Sequence, residues 1–277
     1  MSGSPRLAAR FAALKADNRA GLITYVMGGD PDVETTLGIL HAAARAGADV
    51  IELGFPFTDP MADGPTIQRA ALRSLAAKTT LRAVLDIAAR FRAENADTPL
   101  ILMGYLNPIE QMGLDAFAEG AAAAGVDGAI IVDLPPEEDF DLRAAFAPRN
   151  LSLIRLATPT TDEKRLETVL DGVSGFLYYV SLTGVTGVQA VGPEAARAAA
   201  QRLKAATDLP VAVGFGVRDP EAAAAIARTA DAVVVGSAIV DAIADGPAAS
   251  APSRVTAKVA ALAEAIRHAR TPSGALR

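Results

Sequence analysis

Ala48-Asp-Val-Ile-Glu-Leu-Gly-Phe-Pro-Phe-Thr-Asp-Pro-Met-Ala-Asp-Gly64 begins as a strand, continues as a stiffened loop and hands over to a helical stretch from Pro65. Val50, Ile51 and Leu53 are apolar, and Gly54 and Pro56 stop the run. Glu52 lies inside that strand, one residue before its end. Burying an unpaired carboxylate is costly, or forces the group to hold its proton. The loop carries two more carboxylates, Asp59 and Asp63, between prolines and glycines that stiffen it. A strand-end acid followed by a rigid acidic loop points to acid–base chemistry.

The same strand-then-helix unit recurs along the chain. Short apolar runs occupy residues 22–27, 50–53, 100–103, 129–132, 152–156, 176–180, 211–213 and 232–235. Longer helical patterns separate them, which means parallel strands joined by crossover helices. Several runs are apolar on both faces, as when helices cover one side and a barrel interior lies on the other. Successive strand ends are about 22 to 33 residues apart, except for about 50 between Leu53 and Met103. Two helical patterns, 65–76 and 80–95, fill that gap, so the first is an extra helix. Helix starts are expected at Asp30-Pro31, Asn107-Pro108, Pro135-Pro136, Thr161-Asp162, Gly192-Pro193 and Asp219-Pro220. A further helix over 7–15 precedes the first strand and is placed to cover the barrel bottom. Residues 245–253 read as a loop before a last helix over 255–270, with a frayed tail after about 271. No shift in composition marks a boundary, so 1–277 reads as one domain. Eight units suit an α/β chain folded as a (β/α)8 TIM barrel, with an extra N-terminal helix and an extra helix after strand 2. A doubly wound open sheet is the alternative. In a barrel, Glu52, Asp133, Tyr178 or Tyr179, Gly214–Gly216 and Gly236-Ser237 share the C-terminal rim.

Composition narrows the function. Hydrophobic residues make up 51% of 277, and mean hydropathy is +0.27, so a large core is available. No apolar run reaches the ~18 residues of a membrane span. Met1-Ser-Gly-Ser-Pro-Arg6 lacks the apolar core of a signal peptide, so a cytoplasmic enzyme is expected. There is no cysteine, and His41 and His268 are the only histidines. Disulfides, thiolate sites and a cysteine nucleophile are excluded, and no metal site is expected. Net charge is −6 with no basic cluster, which argues against nucleic acid.

Three constellations carry chemistry. Side chains alternate along a strand, so Glu52 shares a face with Val50. If Ile51 and Leu53 face the helices, Glu52 points into the barrel near its mouth. The competing reading pairs Glu52 with a buried cation, which Arg155 could supply. Asp59 and Asp63 also suit turns, being followed by Pro and Gly. Glycines then follow strands six, seven and eight, in Gly184-Val-Thr-Gly187, Gly214-Phe-Gly216 and Gly236-Ser-Ala238. Such turns let backbone N–H groups approach an anion, and a helix N-terminus adds positive potential. A phosphate site after strands seven and eight recurs in barrels, although each turn alone is only a tight turn. Last, Tyr178 shares a face with Phe176 and Val180, and Tyr179 lies opposite. The sequence leaves open which of the two faces the interior. Tyr25 and Tyr105 lie near strand ends and are placed to line an apolar pocket.

Taken together, the motifs resemble those of tryptophan synthase alpha subunits. The acidic stretch from Glu52 to Gln68 matches the family signature over its whole length. Gly28-Gly-Asp-Pro31, Met103 to Pro108, Asp133-Leu-Pro135 and the three glycine turns follow in the family's order. The resemblance implies retro-aldol cleavage of indole-3-glycerol phosphate to indole and D-glyceraldehyde 3-phosphate. It implies no cofactor in this chain, pyridoxal phosphate belonging to the beta subunit of an α2β2 complex. It implies Glu52 as the main acid–base residue, Asp63 as the second carboxylate, and Tyr178 as the pocket tyrosine. Gly187, Phe215, Gly216, Gly236 and Ser237 would hold the phosphate, with Gly214 among the substrate-binding residues and Thr186 closing over the site to contact Asp63. Asp59 would face the beta subunit.

The chain departs from the family pattern at Leu182, where many relatives carry a basic residue, and at Phe176, Phe55 and Thr58. Two other readings stand beside this one. Another phosphate-binding barrel, a sugar-phosphate isomerase or indole-glycerol-phosphate synthase, shares the glycine turns. It lacks the acidic strand-two loop and usually places a lysine at a strand end, which no strand here does. A non-catalytic partner subunit would have no need of Glu52 and Asp63.

Overall fold

The computed structural model describes residues 3–180, 193–214 and 216–270. The strands are β1 (Gly21–Met27), β2 (Val50–Gly54), β3 (Leu100–Gly104), β4 (Gly128–Ile131), β5 (Ser152–Leu153), β6 (Arg155–Ala157), β7 (Leu177–Val180), β8 (Val211–Gly214) and β9 (Ala232–Val235). They form one sheet in the order β5-β4-β3-β2-β1-β9-β8-β7-β6, with every pair parallel. The two ends of that order are neighbours in the chain. β5 pairs with β4, and β6, one residue further on, pairs with β7. One bent strand, 152–157, therefore serves both edges and closes the sheet into a barrel. All eight expected strands are present, the fifth dividing its pairing at Ile154, and the open doubly wound sheet is ruled out.

Helices α1 (Pro5–Ala16), α2 (Val33–Ala46), α3 (Pro65–Ala76), α4 (Leu81–Glu94), α5 (Leu106–Met112), α6 (Leu114–Ala123), α7 (Phe140–Phe146), α8 (Glu163–Leu170), α9 (Pro193–Ala206), α10 (Pro220–Ala227), α11 (Ser237–Ala244) and α12 (Ala251–His268) accompany the strands. α3 is the expected extra helix after β2. Side-chain caps fix several starts: Ser4, Asp32, Thr80, Asp162 and Asp219 each accept a backbone N–H of the first turn. Three expected boundaries move. α2 begins after Asp32 rather than at Asp30-Pro31, because the Asp32 carboxylate takes the Thr35 N–H. Pro135-Pro136 opens only a 3-10 turn, Pro136–Glu138, before α7. The loop at 245–253 is shorter than expected, since α12 starts at Ala251 with Pro252 in its first turn, where the missing N–H costs nothing. No described helix is long and apolar enough to cross a membrane. The tail after 271 lies outside the described residues.

Two apolar layers follow from strand alternation. Ile23, Val50, Ile101, Ile130, Ile154, Phe176, Ala212 and Val234 fill the barrel interior. Leu7, Phe11 and Leu14 of α1 join them from below, with the Phe11 ring 5.7 Å from that of Phe176. Ile51, Leu53, Leu102, Val213 and Val235 pack outward under the helices. The barrel bottom shows a recurring device. Asp49, Asp127 and Asp231, each just ahead of a strand, accept the first N–H groups of Leu22, Leu100 and Val211 on the neighbouring strand. The Ser174 hydroxyl does the same for Leu153. Asp127 also takes Ser4, Arg6 and Arg92, so it ties α1 and α4 to the barrel floor.

Candidate active site

Glu52 projects from the interior face of β2, because Val50 lies in the interior cluster while Ile51 and Leu53 lie in the outer one. In register it sits between Tyr25 of β1 and Ile101 of β3. It is 1% exposed, and Oε1 finds no hydrogen-bond partner among the described residues. Burial alone pushes its carboxyl up to about 8. The competing partner is engaged elsewhere. Arg155 lies 2.6 Å from Asp139 and donates to the carbonyls of Thr168, Val169 and Asp171. Glu52 is therefore an uncompensated buried acid at the barrel mouth.

Asp63 ends the loop that follows β2. Its N–H donates to the Pro60 carbonyl at 3.1 Å, and its own carbonyl accepts the Gln68 side-chain amide at 2.8 Å. The half-buried carboxyl is pushed up to about 6 by burial, against a hydrogen bond from Tyr105 that lowers it. The Tyr105 hydroxyl also accepts the Ala62 N–H at 3.0 Å, and the Phe57 ring lies 5.2 Å from the Tyr105 ring. Tyr105 thus acts as a strut that holds the acidic loop against β3. Asp59 and Met61, on the same loop, face solvent.

The tyrosine alternatives are resolved by packing. Tyr178 lies in the interior cluster and Tyr179 in the outer one. The Tyr178 phenol is raised well above its ordinary range by burial and then by the Glu52 charge. Its hydroxyl occupies the space over Gly214, where an added Cβ would sit 2.5 Å from it. The glycine after β8, read from sequence as an anion contact, thus also makes room for this hydroxyl. Tyr25 is likewise interior and 7% exposed, and its phenol is raised by burial, then by Asp63 and Glu52. Both carboxyls therefore bear on one tyrosine.

The glycine turn after β9 lies on the other side of that tyrosine. Thr24 of β1 is in register with Val235 of β9, so Gly236 follows directly beside Tyr25. Gly236 precedes α11, whose first N–H groups, starting at Ser237, have no carbonyl within the helix to bond. Gly216 adopts φ 60° with open space where a Cβ would stand. β9, β1 and β2 thus set a helix N-terminus, Tyr25 and Glu52 side by side. Thr186, Gly187, Phe215 and Leu182 lie outside the described residues.

Some lining residues escaped the sequence reading. Met103, Val132, Leu156 and Val180 are half-buried and pack on the interior cluster. Each lies two residues beyond an interior residue, so the alternation that placed Glu52 was signal enough to find them. Asp133, on the rim, accepts the Leu106 N–H at 2.8 Å and fixes the turn into α5. Among the described residues no three His, Asp or Glu side chains gather as a metal site requires.

Comparisons with known proteins agree with this geometry. A family model described as "Tryptophan synthase alpha chain" matches residues 11–271. A tryptophan synthase alpha chain from Caulobacter sp. (strain K31) is 57% identical over 269 residues, covering 96% of this chain and 97% of that one. Another from Zymomonas mobilis subsp. mobilis is 57% identical over 238 residues, covering 86% and 87%. Among solved structures, the tryptophan synthase alpha subunit of Legionella pneumophila str. Paris matches with TM-score 0.89 at 41% identity, covering 94% of this chain and 98% of that one. A chain of tryptophan synthase from M. tuberculosis, in an open form with BRD0059 bound, matches with TM-score 0.85 at 37% identity, covering 95% and 98%.

Proposed function

Because this chain belongs to the tryptophan synthase alpha chain family, whose reaction is the retro-aldol cleavage of indole-3-glycerol phosphate, we propose that Glu52 and Asp63 carry that cleavage here. The supporting observation is the pair of carboxyls driven to different ranges, about 8 for Glu52 and about 6 for Asp63. Near neutral pH the first then holds a proton and the second does not. Two acids set apart by their surroundings can take an acid role and a charge-stabilising role in one site.

The steps follow from those states. Glu52 gives its proton to C3 of the indole ring. The ring nitrogen becomes an indoleninium, and the Asp63 carboxylate accepts its N–H and offsets the charge. Glu52, now ionised, takes the proton of the hydroxyl on the chain carbon bonded to C3. That carbon becomes the aldehyde of D-glyceraldehyde 3-phosphate. The electrons of the broken carbon–carbon bond return to the ring, and indole leaves. Glu52 ends protonated, as it began, and no redox partner is required. Tyr25 lines the pocket beside Glu52, Tyr178 faces them from β7, and Tyr105 holds the acidic loop. Gly216, Gly236 and Ser237 hold the phosphate; the roles the resemblance implies for Thr186, Gly187 and Phe215 fall on residues outside the described ones.

The two protonation states predict the pH dependence. Activity requires Asp63 ionised and Glu52 protonated, so kcat/KM should rise through about 6 and fall through about 8. Steady-state indole release from indole-3-glycerol phosphate, measured across pH 5 to 9, reads both limbs (roughly the span over which such groups titrate). In the Asp63→Asn variant the lower limb should vanish along with most of the activity. A flat profile for the parent protein would contradict the assignment of both acids.

We further propose that a tryptophan synthase beta subunit docks on the acidic loop, where Asp59 and Met61 are exposed, in an α2β2 assembly. Pyridoxal phosphate then resides in that partner, which receives the indole. Titrating the beta subunit into a fixed amount of this chain should raise the rate of indole-3-glycerol phosphate cleavage until it saturates. A rate that ignores the added partner would end the coupling proposal.

A further inference from the structure

Tyr25 joins the two halves of the site. An added Cβ on Gly236 would sit 3.5 Å from the Tyr25 Cβ, and one on Gly54 would sit 2.1 Å from its hydroxyl. The side chain therefore starts beside the turn that opens α11 and ends over the strand that carries Glu52. It is 7% exposed, so its hydroxyl has left bulk water. The partner it finds is the Met27 sulfur at 4.0 Å, a weak acceptor at the limit of contact. A buried phenol with so poor a partner is costly unless something better arrives. Burial and the nearby carboxyls keep the phenol protonated, so it is a donor as well as an acceptor.

We infer that the Tyr25 hydroxyl is a specificity-determining group that hydrogen-bonds the hydroxyl-bearing carbon chain linking the substrate's phosphate to its indole ring. This rests on the reaction proposed above. A substrate anchored by phosphate at Gly236 and cleaved at Glu52 must run its carbon chain along the length of Tyr25. That chain carries the secondary hydroxyls, and they are the complement of an underused phenol. A phenylalanine would fill the same space and offer nothing to them. The Met27 contact is weak enough to be given up when the substrate enters.

The Tyr25→Phe variant tests this, since it keeps the ring and removes one oxygen. Two probes separate the outcomes: indole-3-glycerol phosphate, and indole-3-propyl phosphate, which keeps ring and phosphate but lacks the chain hydroxyls. The variant should lose about 2- to 13-fold in kcat/KM for the first, the range of one hydrogen bond between neutral groups. Calorimetry should find its Kd for the second within about twofold of the parent's, because no hydrogen bond is at stake there. An unchanged kcat/KM overturns the inference. So does an equal weakening with both probes, which would make Tyr25 a packing residue. If the parent protein itself releases no indole, the reaction assignment falls and this inference with it. If the parent is active and Tyr25→Phe matches it, only the role of Tyr25 falls.

Discussion

Replacing Glu52 by Gln is expected to lower kcat for indole release at least about 10²-fold while leaving the barrel folded. The amide keeps the size of the side chain and cannot give a proton to C3 or take one from the chain hydroxyl. Its burial is also easier than that of a carboxylate. The same substitution carries a stability signature. A carboxyl raised from 4.5 to about 8 keeps, in the folded protein, a proton that the unfolded chain has already released. The stability it contributes is fully present below about 4.5, falls as pH rises, and is lost beyond about 8. Over that window the loss amounts to roughly 5 kcal/mol, at 1.36 kcal/mol per unit. Asp63 adds a slope of the same sign between 3.8 and about 6. Glu52→Gln has no such proton to lose. Thermal unfolding should therefore find the variant more stable than the parent above pH ~8, with the gap closing toward pH ~4.5. A variant that kept near-normal turnover would remove Glu52 from the chemistry.

Asp127→Ala should have the largest effect on stability, about 3 kcal/mol, the cost of leaving buried partners of an ion pair unmatched. Asp127 is 2% exposed and meets Arg6 at 2.6 Å, Arg92 at 3.0 Å and the Leu100 N–H at 2.9 Å. Alanine would leave the Arg6 and Arg92 guanidinium groups with backbone carbonyls alone, strip the Leu100 N–H of its acceptor, and loosen α1 from the barrel floor. For a chain of this size the melting temperature should fall by roughly 6–12 °C. Urea unfolding at pH 7 would report the free energy directly. Asp59→Ala, on the exposed loop, should change it by less than about 0.5 kcal/mol. A loss below about 1 kcal/mol for Asp127→Ala would show that the floor does not depend on this network.

Much of this was legible in the sequence because barrel strands impose a strict alternation. Val50 and Glu52 on one face, with Ile51 and Leu53 on the other, sufficed to aim Glu52 inward, and the packing agrees. The eight strand runs and the extra helix α3 were visible for the same reason. What the sequence left open needed partners from distant elements. Arg155 is a buried cation on a strand, but its engagement with Asp139 depends on where α7 begins. Tyr178 and Tyr179 are adjacent and chemically alike, so only the register of β7 against β8 separates them. The Tyr105 contact with Ala62 joins two loops 43 residues apart, and no local pattern announces it. The split of the fifth strand at Ile154 arises from closing the barrel, where one strand must serve two neighbours.

The most direct test of the central claim is the protonation state of Glu52 in the folded protein. Carbon-13 NMR of protein labelled at the glutamate carboxyl, with Glu52→Gln to assign the resonance, follows that single group through a pH titration. Glu52 should still be protonated at pH 7 and titrate at about 8. A carboxyl already ionised at pH 7, with its midpoint near the ordinary value of 4.5, would contradict it.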